Sequence, residues 1–117
     1  MTHDSDTLIE IDPDHFRSVL GHYPTGVSVV SGWREEGRAA GLAIGTFTSV
    51  SLEPALVGFC PAMRSGSWPL MRRFGRFCVN VLGADQLELC ERFATPGVGK
   101  FDGVPHRVSA SGLPVLE

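Results

Sequence analysis

Apolar and polar positions divide the chain into short segments. Val27, Val29 and Ser31 alternate with Ser28, Val30 and Gly32, and the polar run Arg34-Glu35-Glu36-Gly37-Arg38 then reads as a hairpin tip. Gly41 to Leu52 is expected to return as one antiparallel strand, broken by Glu53-Pro54. Ala55 to Cys60 and Phe77 to Leu82 are nearly continuous apolar runs, the second with Asn80 as its polar interruption; both predict central strands buried on two faces. Leu113 to Leu116 begins another strand.

Helix signals lie between and before these runs. Asp12 as N-cap, Pro13 at the first helical position, an Ile11–Phe16 staple and Gly21 as a stop predict a helix whose Phe16, Val19 and Leu20 pack on the sheet. Ser67 can cap a second helix, with Leu70, Met71 and Phe74 inward and Gly75 ending it. Asp85 with Glu88 resembles a capping box for a third, carrying Leu89, Cys90 and Phe93. Residues 1–10 lack periodicity and read as a flexible tail before a single domain over 11–117.

Composition narrows the classes. A length of 117 residues suits one core, and 14 glycines with 8 prolines favour turns and short strands over long helices. The net charge of −3 offers no broad cationic field, which argues against nucleic acid or anionic lipid as partner. The apolar runs are too short for a membrane span and the polar, acidic N-terminus is unlike a secretory signal. Cys60, Cys78 and Cys90 form no CxxC pair and suggest no metal site, so reduced thiols in a cytoplasmic protein are expected.

Few segments promise chemistry. Pro61 to Ser67 follows a buried strand and precedes a helix, placing two hydroxyls, a glycine and the Arg64 guanidinium where they could cradle a phosphate; spacing alone favours an ordinary polar loop capped by Ser67. Gly97-Val98-Gly99-Lys100 lacks the spacing and the following Ser or Thr of a phosphate loop. No nucleophile elbow is present, and no side chain is assigned as catalytic. The small residues Gly41, Ala43, Gly45 and Thr46 would let a flat ligand or another backbone approach their strand.

Four collinear stretches carry a resemblance. Phe16 to Gly21 with Tyr23-Pro24-Thr25-Gly26-Val27, then Phe47 to Pro54 with Leu56-Val57, then Phe77 to Leu82, then Gln86 to Phe93 resemble the flavin reductase-like, FMN-binding split-barrel family, notably reductase components of two-component monooxygenases. The resemblance implies a mainly β, six-stranded Greek-key split barrel with short peripheral helices, a homodimer that binds FMN or FAD, takes reducing equivalents from NADH or NADPH, and supplies reduced flavin to a monooxygenase. By the same resemblance the flavin ring lies along Gly41, Leu42, Ala43, Gly45 and Thr46 and along Cys60, Pro61 and Ala62, with backbone N–H groups near Gly45 and Thr46 stabilising charge on the reduced ring. Phosphate contacts fall on Ser65, Gly66 and Ser67 and near Arg92 and Phe93.

The sequence departs from the family in two places. Gly99 stands where an acidic residue commonly precedes the Lys-Phe pair, and the resemblance halts at Gly112 to Leu116, without the later Gly-Asp-His segment. The expectation is therefore a barrel incomplete at its C-terminus, with open strand edges that favour dimerisation. A flavin-binding or non-enzymatic dimerisation module on the same scaffold is the alternative function.

Overall fold

A computed structural model describes residues 10–35, 37–97 and 99–117. Most of the expected tail, Glu36 of the hairpin tip and Val98 lie outside the described residues. The elements run α1 (Pro13–Leu20), β1 (Ser28–Glu35), β2 (Arg38–Ile44), β3 (Thr48–Ser51), β4 (Leu56–Gly58), α2 (Trp68–Arg72), β5 (Cys78–Val81), α3 (Leu87–Ala94), β6 (His106–Val108) and β7 (Pro114–Leu116). They form a three-stranded antiparallel sheet in the order β2-β1-β5 and two hairpins, β3-β4 and β6-β7.

The β1-β2 ladder is the centre of the molecule because both its faces are covered. Val30, Ala40, Leu42 and Ile44 pack on Met71 of α2, with Phe59, Trp68 and Val79 around them. On the other face Val29 meets Phe93 of α3, Phe101 and Val104, flanked by Ala39, Ala43 and Leu82. Gly41 allows this second layer to close: a Cβ there would stand 2.9 Å from a Phe93 ring carbon and 3.0 Å from one of Phe101. The β6-β7 hairpin docks through polar bonds, with Ser31 Oγ donating to Pro114 O at 2.6 Å and Leu116 N donating to Asn80 Oδ1 at 3.0 Å, while Asn80 is itself held to β1 by Nδ2 donating to Val29 O at 2.9 Å.

Several expectations are corrected. The run from Gly41 to Leu52 is two strands, because Gly45-Thr46-Phe47 leaves the β1 ladder and Thr46 Oγ1 accepts the Cys60 N–H at 2.8 Å, turning the chain toward β4. The central strand is β1; among the described residues β4 pairs only with β3 and β5 only with β1, and Val57 and Val81 are 53% and 71% exposed. Helix α1 forms where expected, with Asp12 Oδ1 accepting the Asp14 N–H at 3.3 Å, but Ile11, Phe16, Val19 and Leu20 are all exposed. The caps are only partly as expected. Ser67 stands at the N-cap of α2, but its hydroxyl makes no capping bond and Ser65 Oγ accepts the Trp68 N–H at 3.1 Å instead; Gln86 stands at the N-cap of α3 with its Oε1 accepting the Gly83 N–H, in place of the Asp85–Glu88 box. Phe74 is 44% exposed, whereas Met71 is buried.

Candidate functional site

The end of β2, the loop after β4 and the C-terminal end of α3 enclose a hollow of about 200 Å³. Its apolar floor is Leu42, Ala43 and Phe93; Ala62, Arg64, Ser65 and Gly66 form one wall, and Thr95, Pro96 and Lys100 the other. Ser65 is fixed from two sides, its N–H donating to Ala62 O at 3.0 Å and its Oγ accepting from Trp68 N, so its hydroxyl hydrogen remains to be donated. Lys100 Nζ donates one hydrogen to Phe93 O at 3.0 Å and keeps two more. Burial lowers the Lys100 amine below its ordinary value, because desolvation penalises the charged form. Neither Arg64 nor Lys100 pairs with a carboxylate among the described residues. An apolar floor flanked by a hydroxyl and two cations suits an anionic group on an otherwise neutral ligand.

Of the residues expected to bind flavin, Leu42, Ala43, Ala62, Ser65, Gly66 and Phe93 meet in this hollow. Gly45 and Thr46 line a separate, wider hollow of about 410 Å³ with Tyr23, Thr25 and Phe47. The Thr46–Cys60 hydrogen bond joins the two strand ends, and Pro61 continues from Cys60 into the loop. Three positions act at a remove. Gly41 lies beneath the Phe93 and Phe101 rings, and Ser67 is buried, its Oγ donating to Gly97 O at 3.3 Å. The Arg92 guanidinium donates to the carbonyls of Lys100 and Asp102, clipping that turn to α3 and so placing Lys100.

In the sequence Lys100 stands in a failed phosphate-loop pattern and in the family's Lys-Phe pair, neither of which marks it as a ligand; its signal is spatial, a turn folded back on the end of α3 where Arg92 and Phe93 lie. Among the described residues no cluster of His, Cys, Asp or Glu could hold a metal ion, and no helix is long and apolar enough to cross a membrane.

Comparison with known proteins agrees with this architecture. The flavin reductase like domain family matches residues 20–117. A flavin reductase of Pseudomonas putida is 51% identical over 107 residues, covering 92% of this chain and 63% of that protein. The reductase subunit of a flavin-dependent monooxygenase from Rhodococcus jostii is 43% identical over 106 residues, covering 91% of this chain and 54% of its own. Among solved structures, the Streptomyces globisporus NADH:FAD oxidoreductase in complex with NAD and FAD fragments superposes with a TM-score of 0.73 at 32% identity, over 93% of this chain and 67% of that one. The chain thus spans somewhat more than half the length of the curated relatives it matches. With a mainly β fold around the β1-β2 ladder, and with a family match over most of its length, the chain belongs to the flavin reductase-like split-barrel family.

Proposed function

We infer that this chain binds FMN or FAD, accepts reducing equivalents for it from NADH or NADPH, and serves as the reductase component for a partner flavin-dependent monooxygenase. The observation that carries this reading is the hollow in which Ser65, Arg64 and Lys100 face an apolar floor of Leu42, Ala43 and Phe93. At about 200 Å³ it fits a phosphate and the chain next to it rather than a whole flavin, while the hollow of about 410 Å³ beside Gly45 and Thr46 has room for a ring system. The names of the relatives point the same way, toward flavin, nicotinamide nucleotide and a monooxygenase.

A bound flavin supplies the two-electron chemistry, so no side chain of this protein has to act as a nucleophile. The protein's own part is placement. Lys100 and Arg64 neutralise the phosphate, Ser65 donates to it, and Arg92 holds the Lys100 turn in position. Thr46 and Cys60, tied to each other, set the spacing of the two strand ends beside which the ring would lie.

Titration of the full chain into FMN or FAD should give saturable quenching of flavin fluorescence with a Kd of about tens of micromolar or tighter, roughly 6 kcal/mol of binding. Absence of saturation in that range refutes flavin binding. With flavin bound, oxidation of NADH or NADPH followed by absorbance separates a reductase from a binding module without activity.

The same reading includes a homodimer. Phe16, Val19 and Leu20 on α1 and Val50, Leu52, Leu56 and Val57 on the β3-β4 hairpin are large apolar side chains about half or more exposed in one chain. Light scattering is expected to give twice the mass of a 12.6 kDa chain at micromolar concentration. A well-folded monomer at that concentration would refute the dimer.

A further inference from the structure

The hollow beside Ser65 is as wide as the gap between its two walls, and those walls come from segments far apart in sequence, one ahead of α2 and one after α3. Each wall is fixed within itself. On the first, the Ser65 N–H is bound to Ala62 O and its Oγ to the Trp68 N–H. On the second, Thr95 has the extended backbone (ψ 135°) that a residue before proline favours, and its Oγ1 donates to Glu91 O at 2.8 Å. Arg92 then holds the carbonyls of Lys100 and Asp102. None of these bonds crosses from one wall to the other.

Among the described residues a single hydrogen bond does so: Ser67 Oγ donates to Gly97 O at 3.3 Å. Ser67 directly follows Gly66 of the first wall, and Gly97 directly follows Pro96 of the second. Gly97 has φ +122°, a conformation that suits glycine, and in it the carbonyl meets the Ser67 hydroxyl. Ser67 is 1% exposed and does not line the hollow, so a ligand there does not reach its hydroxyl. Nor does that hydroxyl cap α2. A buried hydroxyl committed to a carbonyl thirty residues away sets the distance between the two segments. We propose that Ser67 is a positioning residue for the phosphate site: by holding Gly97 it keeps Lys100 on one wall in reach of the same phosphate as Ser65 and Arg64 on the other. The ligand rests on the flavin reading above, whereas the tie between the walls does not.

Two measurements on the full chain test this. In the free protein, Ser67→Ala should speed amide exchange at Asp102, whose N–H is bound to Gly99 O in the Lys100 turn, by at least about three-fold, while the amides of the β1 ladder stay unchanged. Ser67→Cys, which keeps the volume and weakens the donor, gives the same readout without a cavity. Fluorescence titration should then show Ser67→Ala weakening FMN by roughly three- to ten-fold, the value of one hydrogen bond, with riboflavin hardly affected. In a Lys100→Met background the same change should cost FMN markedly less, because the wall that Ser67 holds no longer carries the charge. An equal FMN loss in both backgrounds would make Ser67 an independent ligand, parallel loss of FMN and riboflavin would make it a structural residue only, and either result overturns the proposal. Unchanged Asp102 exchange in both Ser67 variants overturns it whether or not FMN binds, and failure of the unaltered chain to bind FMN with Asp102 exchange still accelerated would sink the flavin reading and the phosphate role, leaving only the tie between the walls.

Discussion

Phe93→Ala should lower the stability of the folded chain by about 3–5 kcal/mol, the range for removing a buried aromatic ring from a core. The ring is 1% exposed, meets Phe101 edge-on with centroids 4.9 Å apart, and lies against Gly41 at a distance no Cβ would tolerate. Its removal leaves a cavity between β2 and α3 that neither element can close, since β2 is held by its ladder to β1 and the turn after α3 is clipped back by Arg92. Against a total stability of about 5–15 kcal/mol for a domain, such a loss is about a fifth or more of the whole. Urea unfolding should show the midpoint falling with an unchanged slope. Phe93→Leu, which keeps most of the volume, should lose markedly less. A loss below about 1 kcal/mol for Phe93→Ala would mean that the α3 layer does not pack on β2 as described.

Phe93 also shows how much of the molecule the sequence discloses. The position of α3 and the inward direction of Phe93 follow from helical periodicity, and the β1-β2 hairpin follows from alternation around a polar tip. The family resemblance supplied the residues that now meet around the hollow, from Leu42 to Phe93. What periodicity could not supply is which apolar run lies in the middle. Ala55 to Cys60 and Phe77 to Leu82 look as apolar as a central strand, yet the residue that decides is Gly41, whose missing side chain lets α3 and Phe101 cover β1 and β2 on their second face. Caps failed for a related reason. Ser65 and Ser67 are both able to cap α2, and the choice falls to Ser65 because Gly97 O draws the Ser67 hydroxyl inward, a contact thirty residues away in sequence. Lys100 was hidden in the same manner, since only the folded turn brings it over the end of α3.

Lys100→Met is expected to separate binding from stability. Its amine is drawn partly out of water and lies over the hollow while bound to Phe93 O, so its charge is most useful when a phosphate is present. Removing it should weaken FMN by about ten-fold to a hundred-fold, the value of a charge-assisted contact, and riboflavin hardly at all. Stability should move little, within about 1 kcal/mol at neutral pH, because the lost hydrogen bond is offset by relief from desolvating the charge, a small gain since the side chain keeps part of its surface in water. The pH dependence carries the sign. Burial lowers the folded-state value of Lys100, so between that value and the unfolded one the unfolded chain holds the extra proton and stability rises with pH. FMN affinity should fall across the same alkaline window as the amine loses its charge, and the Met variant should show neither trend. Fluorescence titration with FMN and riboflavin at neutral and alkaline pH, paired with thermal unfolding of the free protein, measures all of these. Parallel weakening of FMN and riboflavin, or an FMN affinity unchanged by the substitution, would remove Lys100 from the phosphate site.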